Sequence, residues 1–290
     1  MSLSLPDTTW ADHRLTWGKR TYVMGIVNVT PDSFSGDGLV RDDLTEEALK
    51  KRAITLAQDF VAQGATFIDI GGESTRPHAA SVSLEQELAR VVPVITALRE
   101  VLPKEVIISI DTYKAQVAHP ALQAGADMIN DIWALRHDTE MAVLAAKQEV
   151  PVILMANMRG YQRRAIMSDI VRFLSASIDL ALMAGIAWER IIIDPGIGFG
   201  TTPEENLTVL NRLAELRVLE RPILLGASRK STIGRVLGGL PVEERLEGTI
   251  ATVALGIAQG ADIVRVHDVR EMMRVVKMSD AIVRGTYELT

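Results

Sequence analysis

Eight short apolar runs, each followed by a stretch of helical length, predict a (β/α)8 barrel preceded by a small hairpin. Two further features point the same way. Polar residues collect at the carboxyl ends of all eight runs, and glycines stand where the intervening helices should stop.

Taken in order, "LTWGKRTYVMG" (15–25) reads as a hairpin turning at Gly18-Lys19 and placed to close the bottom of the barrel. The strands are expected in "YVMGIVNV" (22–29), "FIDIGG" (67–72), "VIISIDT" (106–112) and "MINDI" (128–132). They continue in "VILMANM" (152–158), "IIIDPG" (191–196), "ILLGAS" (223–228) and "IVRVHD" (263–268). Each run is almost wholly apolar, as a strand buried on both faces requires. Between them, segments such as 44–64 and 243–260 repeat apolar residues every three or four positions, and Gly64, Gly125 and Gly260 mark helix ends. No change of composition divides the chain, so one domain spanning 1–290 is expected.

An open eight-stranded parallel sheet would share this alternation, but it concentrates its site at one switch point. A barrel gathers its site from every strand end. Here Asn28, Glu73, Asp111, Asn130 with Asp131, Asn157, Asp194, Ser228-Arg229-Lys230-Ser231, and Arg265 with His267 follow the eight runs one after another. Polar groups in or beside buried strands carry a desolvation penalty, so eight coincidences favour the barrel. Taken singly, Asp111 also reads as a helix cap and Asp131 as a partner for a neighbouring loop.

The bulk properties bound the function. Of 290 residues, 48% are hydrophobic, 23% charged and 4% aromatic, which describes a soluble protein with an aliphatic core. There is no cysteine, which excludes disulfides, thiol nucleophiles and cysteine-ligated zinc. The net charge of −6 argues against nucleic acid as a partner. No signal-peptide pattern opens the chain, and no apolar stretch approaches the ~20 residues of a membrane span. The default expectation is a cytoplasmic enzyme.

The glycines of "IIIDPGIGFGTT" (191–202) do not make a dinucleotide fingerprint. Their spacing is G-x-G-x-G, they follow the sixth strand, and the acidic residue precedes them. A tight strand-to-helix turn explains them, leaving Asp194 as the informative residue. A carboxylate on a pocket floor can accept two parallel hydrogen bonds from an N–C–N edge such as a guanidine-like heterocycle. "SRKST" (228–232) places cations and hydroxyls where a helix starts, a setting suited to an anion. Arg265 and His267 alternate on the eighth strand and so share a side of it. The five histidines lack metal-ligand spacing, whereas Asn28 is a hard oxygen ligand suited to Mg2+ held partly by substrate.

Together, "MGIVNVTPDSFSGDG", "DIGGESTRP", "SIDTYK", "MINDI", "DPGIGFG", "LLGASRKSTIG" and "VRVHDV" resemble the dihydropteroate synthase family, in register from about residue 22 to 268. The resemblance implies a TIM barrel, usually a homodimer, acting in folate biosynthesis. The reaction it implies joins 4-aminobenzoate to 6-hydroxymethyl-7,8-dihydropterin diphosphate, giving 7,8-dihydropteroate and diphosphate. By the match, Asp111, Asn130, Asp194 and Lys230 hold the pterin, and Asn28 touches Mg2+ and diphosphate. Arg265 and His267 meet the diphosphate, with Lys230 the catalytic residues expected beside them. Thr75, Arg76, Pro77 and Ser231 lie near the diphosphate and aminobenzoate. The loop "TPDSFSGDG", with Phe34, is expected to close over the diphosphate.

The chain departs from the family pattern at Ala156-Asn157, where the family usually has Met-His-Met around this point, and at Thr201, where Lys is common. Two other functions share some of these residues. A corrinoid methyltransferase that binds a tetrahydropterin would keep Asp111, Asn130 and Asp194 but has no need of the "STRP" and "SRKS" runs. A non-catalytic pterin-binding barrel would have no use for Asn28, Lys230, Arg265 and His267.

Overall fold

The computed structural model describes residues 5–30, 45–74 and 82–287. Phe34 and most of its loop, and Thr75, Arg76 and Pro77 with the neighbouring His78, lie outside the described residues. Two short antiparallel strands, β1 (Thr8–Trp10) and β2 (His13–Leu15), come first. Eight parallel strands follow: β3 (Tyr22–Asn28), β4 (Phe67–Gly71), β5 (Ile107–Asp111), β6 (Met128–Asp131), β7 (Val152–Met155), β8 (Ile191–Asp194), β9 (Leu224–Leu225) and β10 (Ile263–Val266). They are bonded in the order β8-β7-β6-β5-β4-β3-β10-β9. A parallel bridge between Ile193 and Ile223 joins the two ends and closes the barrel. The expected fold is therefore the observed one.

All eight predicted runs are strands, somewhat shorter than expected at β7 and β9. The helices alternate with them: α1 (Glu46–Ala62), α2 (Leu84–Val101), α3 (Ala115–Gln123), α4 (Glu140–Gln148), α5 (Ile166–Met183), α6 (Pro203–Asn211), α7 (Ser231–Val236), α8 (Leu246–Ala258) and α9 (Val269–Arg284). Two begin with reciprocal capping boxes, Ser83 with Gln86 and Thr202 with Glu205, the second preceding Pro203 at the first helical position. Gly64, Gly125 and Gly260 follow α1, α3 and α8 at φ of +105°, +110° and +97°, the backbone region that suits glycine. The segment 243–260 is split, a 3-10 turn at Val242–Glu244 preceding α8. No helix among the described residues is long and apolar enough to cross a membrane.

The hairpin exists but not where the sequence suggested. Its turn is at Ala11-Asp12, with Ala11 at φ +42°, rather than at Gly18-Lys19. Gly18 does adopt a positive φ, but it bends the link from β2 into the first barrel strand. A glycine-lysine pair is the commoner turn signal, and an alanine in the left-handed region leaves no trace in the sequence.

The period-two alternation of strands sorts the side chains. Val23, Ile68, Ile108, Ile129, Leu154, Ile193 and Val264 pack outward against the helices. Met24, Phe67, Ile107, Met128, Ile153, Ile192, Leu224 and Ile263 form a second cluster inside the barrel's amino-terminal end, together with Trp10, Leu15, Trp17 and Tyr22. The hairpin thus closes the bottom, as expected. Two residues further along, the same inward parity reaches Asp69, Ser109, Asn130, Asp194 and Arg265.

Candidate active site

Strand register assembles the site. Asn28, Gly71, Asp111 and Asn130 lie opposite one another on β3 to β6, forming one row at the carboxyl ends. Gly71 leaves the row open, since a Cβ there would stand 3.3 Å from Asn28 Oδ1 and 3.7 Å from Asp111 Oδ2. Asp69 lies two residues deeper on β4, ~6.6 Å below this row, and is fully buried.

Arg265 spans the barrel to these carboxylates. Its Nε donates to Asp69 Oδ2 at 2.6 Å and a terminal nitrogen to Asp111 Oδ2 at 2.6 Å. Asn130 Nδ2 also donates to Asp69 Oδ2, at 3.0 Å. Burial pushes the Asp111 carboxyl up to about 7, opposed by Arg265 and assisted by Asp69 and Glu87. Against its own burial, Arg265 is held above its ordinary range by Asp69 and Asp111.

Asp194, at the end of β8, is 6% exposed, and one of its oxygens accepts from Gly196 N at 2.7 Å. Burial raises it to about 6, with the Gly196 N–H and Lys230 pulling the other way. Its Oδ2 faces Gly226, where a Cβ would stand 3.6 Å away. Burial lowers Lys230 to about 8, with Arg265 adding to the effect and Asp194 and Asp111 opposing it. The Lys230 ammonium lies 4.2 Å from the centre of the Phe199 ring, and the Arg159 guanidinium lies 5.0 Å from it. Phe199 belongs to an apolar wall with Ile132 and Met155, against which Tyr113 and Trp133 pack. The site is therefore a polar floor under an aromatic and aliphatic wall, the composition of a pocket for a flat heterocycle.

The glycine loop is a backbone device. At Gly196 and Gly200, with φ of +73° and +78°, a Cβ would collide with Ala156 O and with Arg159 N. These close approaches seat the loop on the end of β7. Thr201 serves the same turn, accepting from Gly198 N and donating to Asn206 Oδ1. Asn157 is fully buried, donates to Ile132 O and accepts from Arg159 N. Both departures from the family pattern thus have architectural roles here.

The structure brings Asp111, Asn130, Asp194, Lys230 and Arg265 together, with Asn28 on the same rim. His267 follows β10, its Nδ1 3.0 Å from Ser228 Oγ, which also accepts the His267 backbone N–H. Ser231 is exposed and opens α7. Lys230 precedes it in extended conformation, and no side chain caps that end. Arg229 turns aside, its guanidinium paired with both oxygens of Asp268. Asp131 is structural: its two oxygens accept from Trp133 N and Leu135 N. Asp69 was missed, because it lies inside its apolar run rather than at its end. Also missed was a buttress at the mouth, where Lys114 donates to Glu73 at 2.9 Å and to the buried Glu87 at 2.6 Å. Its signals in the sequence were Glu73 after the second run and the Lys that closes "SIDTYK".

Comparison with known proteins gives this arrangement a lineage. Residues 24–267 match the model of the pterin binding enzyme family. The dihydropteroate synthase of Clostridium beijerinckii is 50% identical over 268 residues, 92% of this chain and 96% of that protein. The crystal structure of dihydropteroate synthase from Clostridium difficile in the presence of pteroic acid has a TM-score of 0.86 at 50% identity, covering 93% of this chain and 99% of that one. That of Xanthomonas albilineans with 4-aminobenzoic acid has a TM-score of 0.87 at 40% identity, covering 96% and 98%. The chain belongs to the pterin-binding enzymes and, within them, to the dihydropteroate synthases.

Proposed function

We propose that the carboxyl-terminal mouth of the barrel condenses 6-hydroxymethyl-7,8-dihydropterin diphosphate with 4-aminobenzoate. The observation that carries this assignment is Asp194, a carboxylate almost sealed on the pocket floor, with one oxygen facing the open side of Gly226. An ionised Asp194 accepts paired N–H donors from the pterin's guanidine-like edge. Asp111, Asn130 and Lys230 supply the remaining polar contacts of the ring, and Phe199 and Met155 its apolar wall. The resemblance adds Thr75, Arg76 and Pro77 from the second loop near the diphosphate and aminobenzoate.

The bond between the pterin methylene carbon and the diphosphate oxygen breaks, and the aminobenzoate nitrogen bonds to that carbon. The nitrogen then sheds one proton, and diphosphate leaves with the electron pair. Lys230, Arg265 and His267 stabilise the departing negative charge, and the pocket aligns the amine behind the methylene. Lys230 keeps its proton up to about pH 8.

Asn28 fits a Mg2+ site: its Oδ1 is a hard oxygen donor beside the opening left by Gly71. Among the described residues no group of three or more His, Asp or Glu gathers around a metal position, so substrate oxygens would complete the shell. The ion would neutralise charge on the leaving diphosphate. The finer reading includes a cytoplasmic homodimer. The packed helices α8 and α9 leave Leu255, Met278, Ile282 and Val283 exposed, an apolar face suited to a second copy. Incubation with pterin diphosphate, aminobenzoate and Mg2+ is expected to yield dihydropteroate, and chelation to stop it. Absence of product, or full turnover with metal-free substrate, would overturn the corresponding part of the assignment.

A further inference from the structure

Asp69 has a geometry that the roles above do not use. It is fully enclosed, one layer below the row that meets the heterocycle, and its Oδ2 takes two donors, Asn130 Nδ2 at 3.0 Å and Arg265 Nε at 2.6 Å. Its Oδ1 is buried without a hydrogen-bond partner among the described residues. An ionised carboxylate only accepts hydrogen bonds, whereas an amide accepts at one end and donates at the other. The carboxylate therefore decides which way Asn130 turns. One of the two N–H bonds of Nδ2 is committed to Asp69, which fixes the flip of the amide and turns its opposite end, Oδ1, away from Asp69 as the acceptor offered to a ligand.

We propose that Asp69 is a positioning residue that sets the hydrogen-bond polarity of the pocket floor, so that the heterocycle meets the carbonyl oxygen of Asn130 rather than its NH2. The inference rests on the pterin assignment and deepens it. The same contact fixes Arg265 between Asp69 and Asp111, so a single buried anion orients a neutral reader and a cationic one. Replacing Asp69 by alanine would release this control, because Asn130 would lose the acceptor that holds its NH2. An amide at position 69 would not release it, since Arg265 Nε donates to the same oxygen and would keep an oxygen facing Asn130. With Asn130 free to flip, the floor would offer an N–H where the ring also presents one. The pocket would recover its polarity if the carboxylate moved to position 130, since a carboxylate accepts hydrogen bonds from the ligand whichever way it is turned.

Binding of pterin diphosphate to the unaltered enzyme is measured first by calorimetry; its absence would sink the pterin assignment itself. Asp69→Ala should then weaken pterin diphosphate binding at least 10-fold while the aminobenzoate KM stays within about 3-fold. The exchange variant Asp69→Ala with Asn130→Asp, which keeps one carboxylate beside Arg265, should restore affinity to within about 3-fold of wild type. Wild-type affinity in the single variant, or an exchange variant that folds but binds no better than the single one, would overturn the proposal. If substitution at position 69 prevents folding, a neutron structure of the unaltered enzyme with a bound pterin decides. Asn130 Oδ1 against the ring supports the inference, and Nδ2 against the ring defeats it.

Discussion

At the amino-terminal end of the barrel the inward side chains are Met24, Phe67, Ile107, Met128, Ile192 and Ile263, covered by Trp10 and Trp17. One step of two residues along most of the same strands, the inward positions hold Asp69, Ser109, Asn130, Asp194 and Arg265. Backbone, register and parity are shared by the two layers, and only side-chain chemistry differs. The lower layer is packed hydrocarbon and contributes to stability through area removed from water. The upper layer holds charges against their preference for water: Asp111 and Asp194 are raised, Lys230 is lowered, and Asp69 Oδ1 and Ser109 Oγ have no partner among the described residues. Groups held this way mark the end where binding and catalysis outweigh stability. Breaking one layer should leave the function of the other intact.

The largest effect is expected at Asp194. Asp194→Ala would leave buried N–H donors of the pterin unpaired, and hydrogen bonds to charged groups contribute about 1.5–3 kcal/mol each. Two such bonds imply a loss of affinity on the order of 10²–10⁴-fold. A folded variant that binds pterin diphosphate within a few-fold of wild type would show that the pocket floor lies elsewhere.

The matching break in the lower layer is Trp17→Ala. Trp17 is 5% exposed, donates to Thr8 Oγ1 at 3.0 Å and meets Tyr22 edge-on at 5.6 Å. Truncating a buried tryptophan costs about 3–5 kcal/mol, on the order of 10 °C in melting temperature for a chain of this size. Both substrate KM values should stay at their wild-type level, since the residue lies at the far end of the barrel. A loss of pterin affinity in this variant would mean that the two ends are coupled.

These layers also differ in how much of them the sequence discloses. The barrel was legible because strands buried on both faces are nearly pure apolar runs, and Asp111, Asn130 and Asp194 stood out where those runs ended. Asp69, framed by Ile68 and Ile70, did not stand out, although the alternation that places Phe67 inside also places Asp69 inside. The pairing of Arg265 with carboxylates 196 and 154 residues away was equally hidden, because register across a closed barrel is a long-range property. Asp131 and Asp194 make the point most sharply. Both end apolar runs and are raised to about 6 by burial. The sequence offers no way to see that backbone N–H groups take both oxygens of one and only one oxygen of the other.

The upper layer should also respond to pH in a way the lower one does not. Asp194 and Asp111 acquire protons below about 6 and 7, and lose acceptors when they do. Lys230 loses its charge above about 8. The ratio kcat/KM should therefore form a bell with its maximum between about 7 and 8, falling roughly 10-fold per unit above the upper limb and, with two carboxyls to ionise, roughly 100-fold per unit well below the lower one. The contribution of the two aspartates to stability has the opposite trend. From pH 3.8 to about 7 the folded chain retains protons that the unfolded chain releases, so this contribution declines as pH rises. A flat kcat/KM profile between pH 5 and 9 would separate these groups from catalysis.

The smallest effect is expected at the rim, and it tests whether the polar end divides into two subsites. Ser231 is exposed at the first position of α7, after Lys230 and away from the buried floor. Its hydroxyl and the backbone amides of a helix start suit the carboxylate of 4-aminobenzoate. A hydroxyl bond to a charged acceptor contributes about 1.5–3 kcal/mol, and helix-end attraction about 0.3–1 kcal/mol. The two contributions overlap, and Ser231→Ala retains the amides, so the aminobenzoate KM should rise roughly 10-fold. Ser231→Asp, which places a like charge there, should raise it further. Affinity for pterin diphosphate should hardly change, since Asp111, Asn130 and Asp194 lie deeper. The competing reading, in which Ser231 merely caps the helix, requires a drop in melting temperature. The structure shows no side-chain capping bond at this helix start, so the melting temperature of Ser231→Ala should match wild type. An unchanged aminobenzoate KM in that variant would move the benzoate carboxylate away from α7.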